Sequence, residues 1–245
     1  MTTAAEAHAC MRSLPFADVV SITAGQGVMV LAPHPDDEVL GCGGLILETL
    51  RAGTTPSVVI VTDGSGSHPM SERFPPSVLK RLRAEEAREA VTRLGLPLSH
   101  LHFMDCRDTA APHAGYELHQ AVETIAGLVA ATECRVILAP WQMDPHGDHL
   151  AVHRMAAEVA RSSGLRHLSY PVWGWTLPDD RELGYLRISG SRLNIAHLMD
   201  RKRHALQAHA TQLGRVIDDD PSGFVLTDEI LDRFLQPFEV YLDNT

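Results

Sequence analysis

Short apolar runs separated by amphipathic segments limit what this chain can fold into. Val28–Ala32 (VMVLA), Ser57–Thr62 (SVVIVT) and Arg135–Pro140 (RVILAP) are too short for buried helices and too uniformly apolar for half-exposed strands. Leu101–Met104 reads as another strand, third in chain order. The segments between them, Val39–Arg51, Ser77–Leu94 and Tyr116–Thr132, read as helices, and His149–Ser162 as a further one. Gly95 follows the second helix as its stop signal. Strands buried on both faces and joined by helices predict a mainly parallel sheet covered on both sides, a Rossmann-like three-layer α/β fold. Further on, His167–Trp175 and Leu183–Ser189 read as strands, Asn194–Leu213 as a long helix and Phe224–Tyr241 as a mixed segment. There is no repeat or low-complexity linker, so residues 1–245 are expected to form one domain. Residues 1–24 would be an N-terminal extension and 214–245 a variable C-terminal segment.

In such sheets ligands bind beyond the carboxyl ends of the strands. Two polar clusters fall there. The first, LAPHPDDEVLGCGG (Leu31–Gly44), packs His34, Asp36, Asp37 and Glu38 against a strand end. Three neighbouring carboxylates repel one another unless positive charge sits among them. The second, APWQMDPHGDHLAVH (Ala139–His153), adds Asp144, His146, Asp148 and His149. Two imidazoles and a carboxylate are the usual donors of a catalytic zinc site with one open position, and a divalent cation would offset the repulsion. Pro33 and Pro35 hold His34 extended from the strand. Asp37 sits at the start of the next helix, where a carboxylate suits the helix dipole. That leaves Asp36 free to face the open side of a metal, while His149 closes the site from the fourth strand.

Composition removes several partner classes. The formal net charge of −10 argues against nucleic acid and anionic lipid surfaces. Cys10, Cys42, Cys106 and Cys134 are scattered without a CxxC pair, and read as reduced thiols of a cytoplasmic protein. No stretch approaches the roughly 18 apolar residues of a membrane span. The first residues lack the basic start and apolar stretch of a signal peptide.

The chain resembles the PIG-L/LmbE-like de-N-acetylases. The family's A-H-P-D-D-E element stands here as Ala32-Pro33-His34-Pro35-Asp36-Asp37-Glu38, with Pro33 inserted. Its H-x-D-H element matches His146-Gly147-Asp148-His149. Arg83-x-x-Glu86, running on to Leu94-Gly95, is similar to its third element. Lys202 through His209-Ala210-Thr211-Gln212 is similar to its late K…H-x-S-Q stretch, with Thr for Ser.

This resemblance implies a metal held by His34, Asp37 and His149, zinc or else iron(II), which accepts the same ligands. It implies Asp36 as the general base acting on metal-activated water. His146 would stabilise the oxyanion, and Asp148 would orient His146 and favour its protonated form. The implied reaction removes an acetyl group from an amine on a small molecule, an N-acetylated amino-sugar conjugate. Two other classes are a metal-dependent phosphoesterase, which would use two cations about 3.5–4 Å apart, and a non-catalytic sugar- or nucleotide-binding module. A mere binder has no use for Asp36.

Other residues receive plainer readings. Glu38 is either a helix-start carboxylate or a support for a zinc-bound histidine. Asp144 either orients the Pro145-His146 turn or is a simple turn residue. His153 is expected to pack, Cys42 to fill core, and Gly41, Gly43 and Gly44 to permit close helix-to-sheet contact. Trp141, Trp173 and Trp175 are candidates for a sugar-stacking wall, with Trp141 the better one and core or subunit-interface packing the other reading of Trp173 and Trp175. The Gly64–Pro76 loop is expected to roof the site.

Overall fold

A computed structural model describes residues 1–244 of the chain. Strand β1 (Val28–Ala32) feeds two separate cores: Val28, Val30 and Ala32 pack on one face, Met29 and Leu31 on the other. Full burial of each of the valine, leucine and methionine side chains contributes about 1.5–3 kcal/mol. Helix α3 (Asp37–Arg51) leads to β2 (Ser57–Thr62), α4 (Pro76–Leu94) to β3 (Leu101–Cys106), and α5 (Gly115–Thr132) to β4 (Val136–Pro140). Helix α6 (Gly147–Ser163) leads to β5 (Arg166–Tyr170). All five strands run parallel in the order β3-β2-β1-β4-β5. The sheet and its helical layers match the three-layer expectation.

Strand order reverses between β1 and β4, which pair directly. The connections that leave them depart in opposite directions and open a crevice at their carboxyl ends. Both polar clusters enter that crevice. Helix α3 lies close on the sheet because its glycines admit neighbours: a Cβ at Gly41 would collide with the Tyr170 ring, and one at Gly44 with Ile195. The Tyr170 hydroxyl in turn donates to Leu31 O at 2.6 Å, tying β5 to β1 across the sheet face.

The later chain departs from the sequence reading. The strand expected over His167–Trp175 stops at Tyr170, before Pro171, and Trp173–Thr176 form a short 3₁₀ turn. Leu183–Ser189 is not a strand; the strand is β6 (Gly190–Asn194). The long helix expected over Asn194–Leu213 shrinks to α7 (Met199–Leu206). Beyond it the chain turns inward, because Thr211 is fixed to Glu86 through its amide (2.8 Å) and its hydroxyl (2.6 Å). After α8 (Asp228–Phe234), strand β7 (Phe238–Asp243) inserts between β5 and β6, antiparallel to both. The C-terminal segment therefore completes the sheet.

The N-terminal residues also join the core. Helix α1 (Ala4–Ser13) begins in a Thr3–Glu6 capping box and buries Ala4, Ala7 and Met11; α2 (Val19–Thr23) follows. The Thr-x-x-Glu signature was there to be read in the sequence. All four cysteines are free, and no helix among the described residues is long and apolar enough to cross a membrane.

Candidate metal centre and active site

The segment after β1 is fixed by backbone. Thr62 at the end of β2 donates its amide and its hydroxyl to Pro33 O, each at 2.8 Å. The next residue, His34, donates its amide to Asp37 Oδ2 at 3.0 Å, closing the turn into α3. The same oxygen lies 3.2 Å from His34 Nδ1 and 3.2 Å from His149 Nε2. Donors of a tetrahedral centre with bonds of about 2.0–2.1 Å stand roughly 3.4 Å apart. The ring nitrogens of His34, His146 and His149 also lie within 4.8 Å of one another, as do donors of His34, Asp108 and Asp148.

The partners of His149 choose its protonation. Its Nδ1 is 2.9 Å from Asp144 Oδ2, and a carboxylate can only accept there. Asp144 is held in turn by the amides of Val172 (3.2 Å), Trp173 (3.1 Å) and Gly174 (2.7 Å). With its proton on Nδ1, His149 turns Nε2 toward Asp37, and that buried atom has no hydrogen-bond partner among the described residues. An imidazole oriented by a carboxylate with its second nitrogen bare is the form that ligates metals.

The electrostatics agree. Burial alone would lower the His149 pKa, yet Asp37 and Asp144 raise it to about 9. His34 is likewise raised well above its usual value, burial being outweighed by Asp108, Asp148 and Asp37. Asp37 is held far below the carboxylate range, because the two imidazoles outweigh its own burial. Without a metal this buried acidic pocket draws protons onto its histidines. A divalent cation would supply the same positive charge. The residues present fit such a group.

Asp36 precedes α3 with φ 135° and ψ −30°, a conformation costing a non-glycine residue about 1–3 kcal/mol. Its Oδ2 receives Arg83 Nη2 at 3.2 Å, and the same nitrogen donates to Pro35 O at 2.6 Å. Burial pushes the Asp36 carboxyl up to about 7 against the pull of Arg83. Its amide donates to Glu38 Oε2 at 2.9 Å, and Glu38 Oε1 pairs with His209 Nε2 at 2.9 Å. Both Glu38 oxygens are taken up by Asp36 N and His209, with no hydrogen bond to His34, His146 or His149 among the described residues, which disfavours the support of a zinc-bound histidine that the sequence left open.

His146 caps α6, its Nδ1 accepting the Asp148 amide at 3.2 Å. A neutral ring therefore carries its proton on Nε2. Burial and the neighbouring His34 and His149 lower the His146 pKa, against the pull of Asp148 and Asp37. The Asp148 carboxylate does not orient this ring. It accepts the amides of Thr109 (2.8 Å) and Ala111 (2.9 Å) and lies 3.1 Å from His34 Nε2. Asp148 meets His146 through its own backbone amide, and its carboxylate raises the His146 pKa, a pull that burial and the two neighbouring histidines outweigh.

Asp108 was missed by the sequence reading. It lies 3.3 Å from His34 Nε2 and accepts the Gly66 amide at 2.9 Å. Its position just beyond β3 is the signal that would have found it, since the strand-end rule applies to every parallel strand.

A cavity of about 480 Å³ opens above these groups, of the size that small-molecule sites have. His34, Asp36, Arg83, Asp108 and His146 reach it on one side, and Pro69, Trp173 and Phe224 supply an apolar wall. Of the three candidate tryptophans, Trp173 stands at the cavity, whereas Trp141, the preferred one, is buried. The Gly64–Pro76 loop does roof the site, but only with help from the C-terminal segment. Phe224 N donates to Ser67 O (2.7 Å), Met70 N to Asp220 Oδ2 (2.8 Å) and Ser71 Oγ to Asp219 Oδ1 (2.7 Å), and Arg73 pairs with Asp218.

Fold and site together define an α/β protein with a histidine–carboxylate centre at the sheet's switch point. Residues 29–160 match the family model described as PIG-L, GlcNAc-PI de-N-acetylase, and the chain belongs to that family. It is 25% identical over 278 aligned positions to the 1D-myo-inositol 2-acetamido-2-deoxy-alpha-D-glucopyranoside deacetylase of Nocardia farcinica, covering 90% of each chain. It is 25% identical over 205 positions to the diacetylchitobiose deacetylase of Thermococcus kodakarensis, covering 81% of this chain and 72% of that one. The solved N,N'-diacetylchitobiose deacetylase of Pyrococcus horikoshii shares the fold, with a TM-score of 0.67, 20% identity and coverage of 98% and 92%.

Proposed function

We propose that this protein is a zinc-dependent deacetylase that hydrolyses the acetamide of an amino-sugar conjugate to acetate and the free amine. One observation supports the reading most directly: Asp37 Oδ2 lies 3.2 Å from both His34 Nδ1 and His149 Nε2, beside a cavity that His34, Asp36 and His146 line. His34, Asp37 and His149 would hold the cation. When bound, it supplies a Lewis acid that lowers the pKa of water and polarises the amide oxygen.

The chain's own groups complete the reaction. Asp36, with a pKa near neutrality, takes a proton from the attacking water, a contribution of about 10²–10⁴-fold. Arg83 occupies Oδ2, which leaves Oδ1 for that proton. His146 donates from Nε2 to the carbonyl oxygen as it gains charge, worth about 3–4 kcal/mol. Asp36 then returns its proton to the departing amine. Asp148 serves by holding His34 and the Thr109–Ala111 backbone. A small-molecule substrate suits a cavity of about 480 Å³, and a cytoplasmic setting suits the free thiols.

The test is acetate release from N-acetylglucosamine, diacetylchitobiose and an aryl N-acetylglucosaminide by zinc-loaded protein. Asp36→Ala is expected to keep its metal and lose at least about 10²-fold in turnover. Full turnover in that variant, or phosphate release from phosphoesters instead of acetate, would overturn the reading.

A further inference from the structure

Glu38 and His209 are fully buried, come from opposite ends of the chain, and lie outside the cavity lining. Neither reaches a reacting atom. A buried acid–imidazole pair is a poor source of stability, because desolvation offsets most of its attraction. Its geometry gives it another use. One oxygen of Glu38 receives His209 Nε2 and the other receives the amide of Asp36, each at 2.9 Å. That amide belongs to the residue held at φ 135°. A strained conformation persists only where its surroundings over-determine it.

We propose that the Glu38–His209 pair is a positioning device. It pins the Asp36 peptide in its strained conformation and so aims the carboxylate into the cavity. This rests on the reading of Asp36 as the base. Helix α4 serves the device twice. Arg83 grips Pro35 O and the Asp36 carboxylate directly. One turn on, Glu86 takes both hydrogen bonds of Thr211 and so fixes the loop that delivers His209. Glu38, with one rotamer imposed by His209, transmits that constraint to the Asp36 amide. Among the described residues Glu38 makes no hydrogen bond or ion pair to the side chains of His34, Asp37 or His149, so metal content is expected to be independent of the pair.

The test compares Glu38→Gln with Glu38→Ala in zinc-loaded, full-length protein. Glutamine can still accept from the Asp36 amide and donate to a His209 whose Nε2 is unprotonated; alanine can do neither. Glu38→Ala is expected to lower kcat by about 10²-fold, the cost of a roughly 1 Å misplacement. KM should change less than about threefold, metal content should stay at the wild-type level, and a crystal structure should show residue 36 relaxed from positive φ. Glu38→Gln should stay within about fivefold of wild type. Should Glu38→Ala fail to fold, His209→Asn carries the same measurements.

A folded, metal-loaded Glu38→Ala with wild-type kcat overturns the proposal. So does loss of metal, which would make the pair a support of the metal site. A Glu38→Gln as impaired as Glu38→Ala would point to charge rather than geometry and overturn it too. If Asp36→Ala proves fully active, the base reading fails by itself. The crystal structures of the two Glu38 variants still report whether the peptide is held.

Discussion

Asp37 Oδ2 and His149 Nε2 stand 3.2 Å apart at the contact of two helix N-termini, one following β1 and the other following β4. The approach is tolerable only if something cationic is shared between them. Asp37→Ala is expected to lose metal binding and turnover together, measured as metal per chain and acetate release. Ligation must also displace protons, since both His149 and His34 titrate above their usual values without metal. Metal affinity should therefore rise with pH until about 9, with proton release visible by calorimetry in buffers of different ionisation enthalpy. A pH-independent affinity would contradict this.

Asp144 carries more than a turn. It orients His149 and accepts three consecutive amides after β5. Asp144→Asn retains one acceptor oxygen and presents a donor on the other side. Metal affinity should fall about 10–100-fold. Stability should fall by roughly 1–3 kcal/mol from amides left unpaired. Metal titration and urea unfolding of the metal-free protein separate the two effects.

Trp173 stands at the cavity, braced edge-on by Phe224 (5.3 Å) and Phe234 (5.4 Å). Trp173→Ala should raise KM for an aryl N-acetylglucosaminide about tenfold and leave kcat within about threefold, the mark of lost binding common to ground and transition states. A change confined to kcat would refute the assignment.

His167 is buried beside His153, ring centroids 5.0 Å apart, and its pKa is pushed down to about 3 by burial and by that neighbour. The unfolded chain takes up this proton near 6.5, and the folded chain only near 3. Its contribution to stability is thus intact above about pH 6.5 and lost as pH falls toward 3. The loss should reach roughly 3 kcal/mol by pH 4. Urea midpoints of His167→Leu should fall less steeply than wild type over that range; parallel curves would sink the prediction.

The sequence by itself determined the parallel sheet and the place of the chemistry. Uniform apolar runs such as Val28–Ala32 can only be strands covered on both sides, and a strand's carboxyl end fixes where His34, Asp36 and Asp37 must emerge. Elsewhere distant contacts overrule the local pattern. Asn194–Leu213 has helical composition, yet its second half turns inward because Glu86 and Glu38 bind Thr211 and His209. Phe238–Asp243 looks like a tail and becomes an interior strand because β5 and β6 leave their edges open to it. Only the tertiary structure decided that Asp148 serves His34, that Asp108 joins the cluster, and that Trp173 rather than Trp141 faces the cavity. Periodicity is a property of neighbouring residues, whereas hydrogen-bond partners and cavity walls are chosen by strand order and helix packing, which bring together residues far apart in the chain.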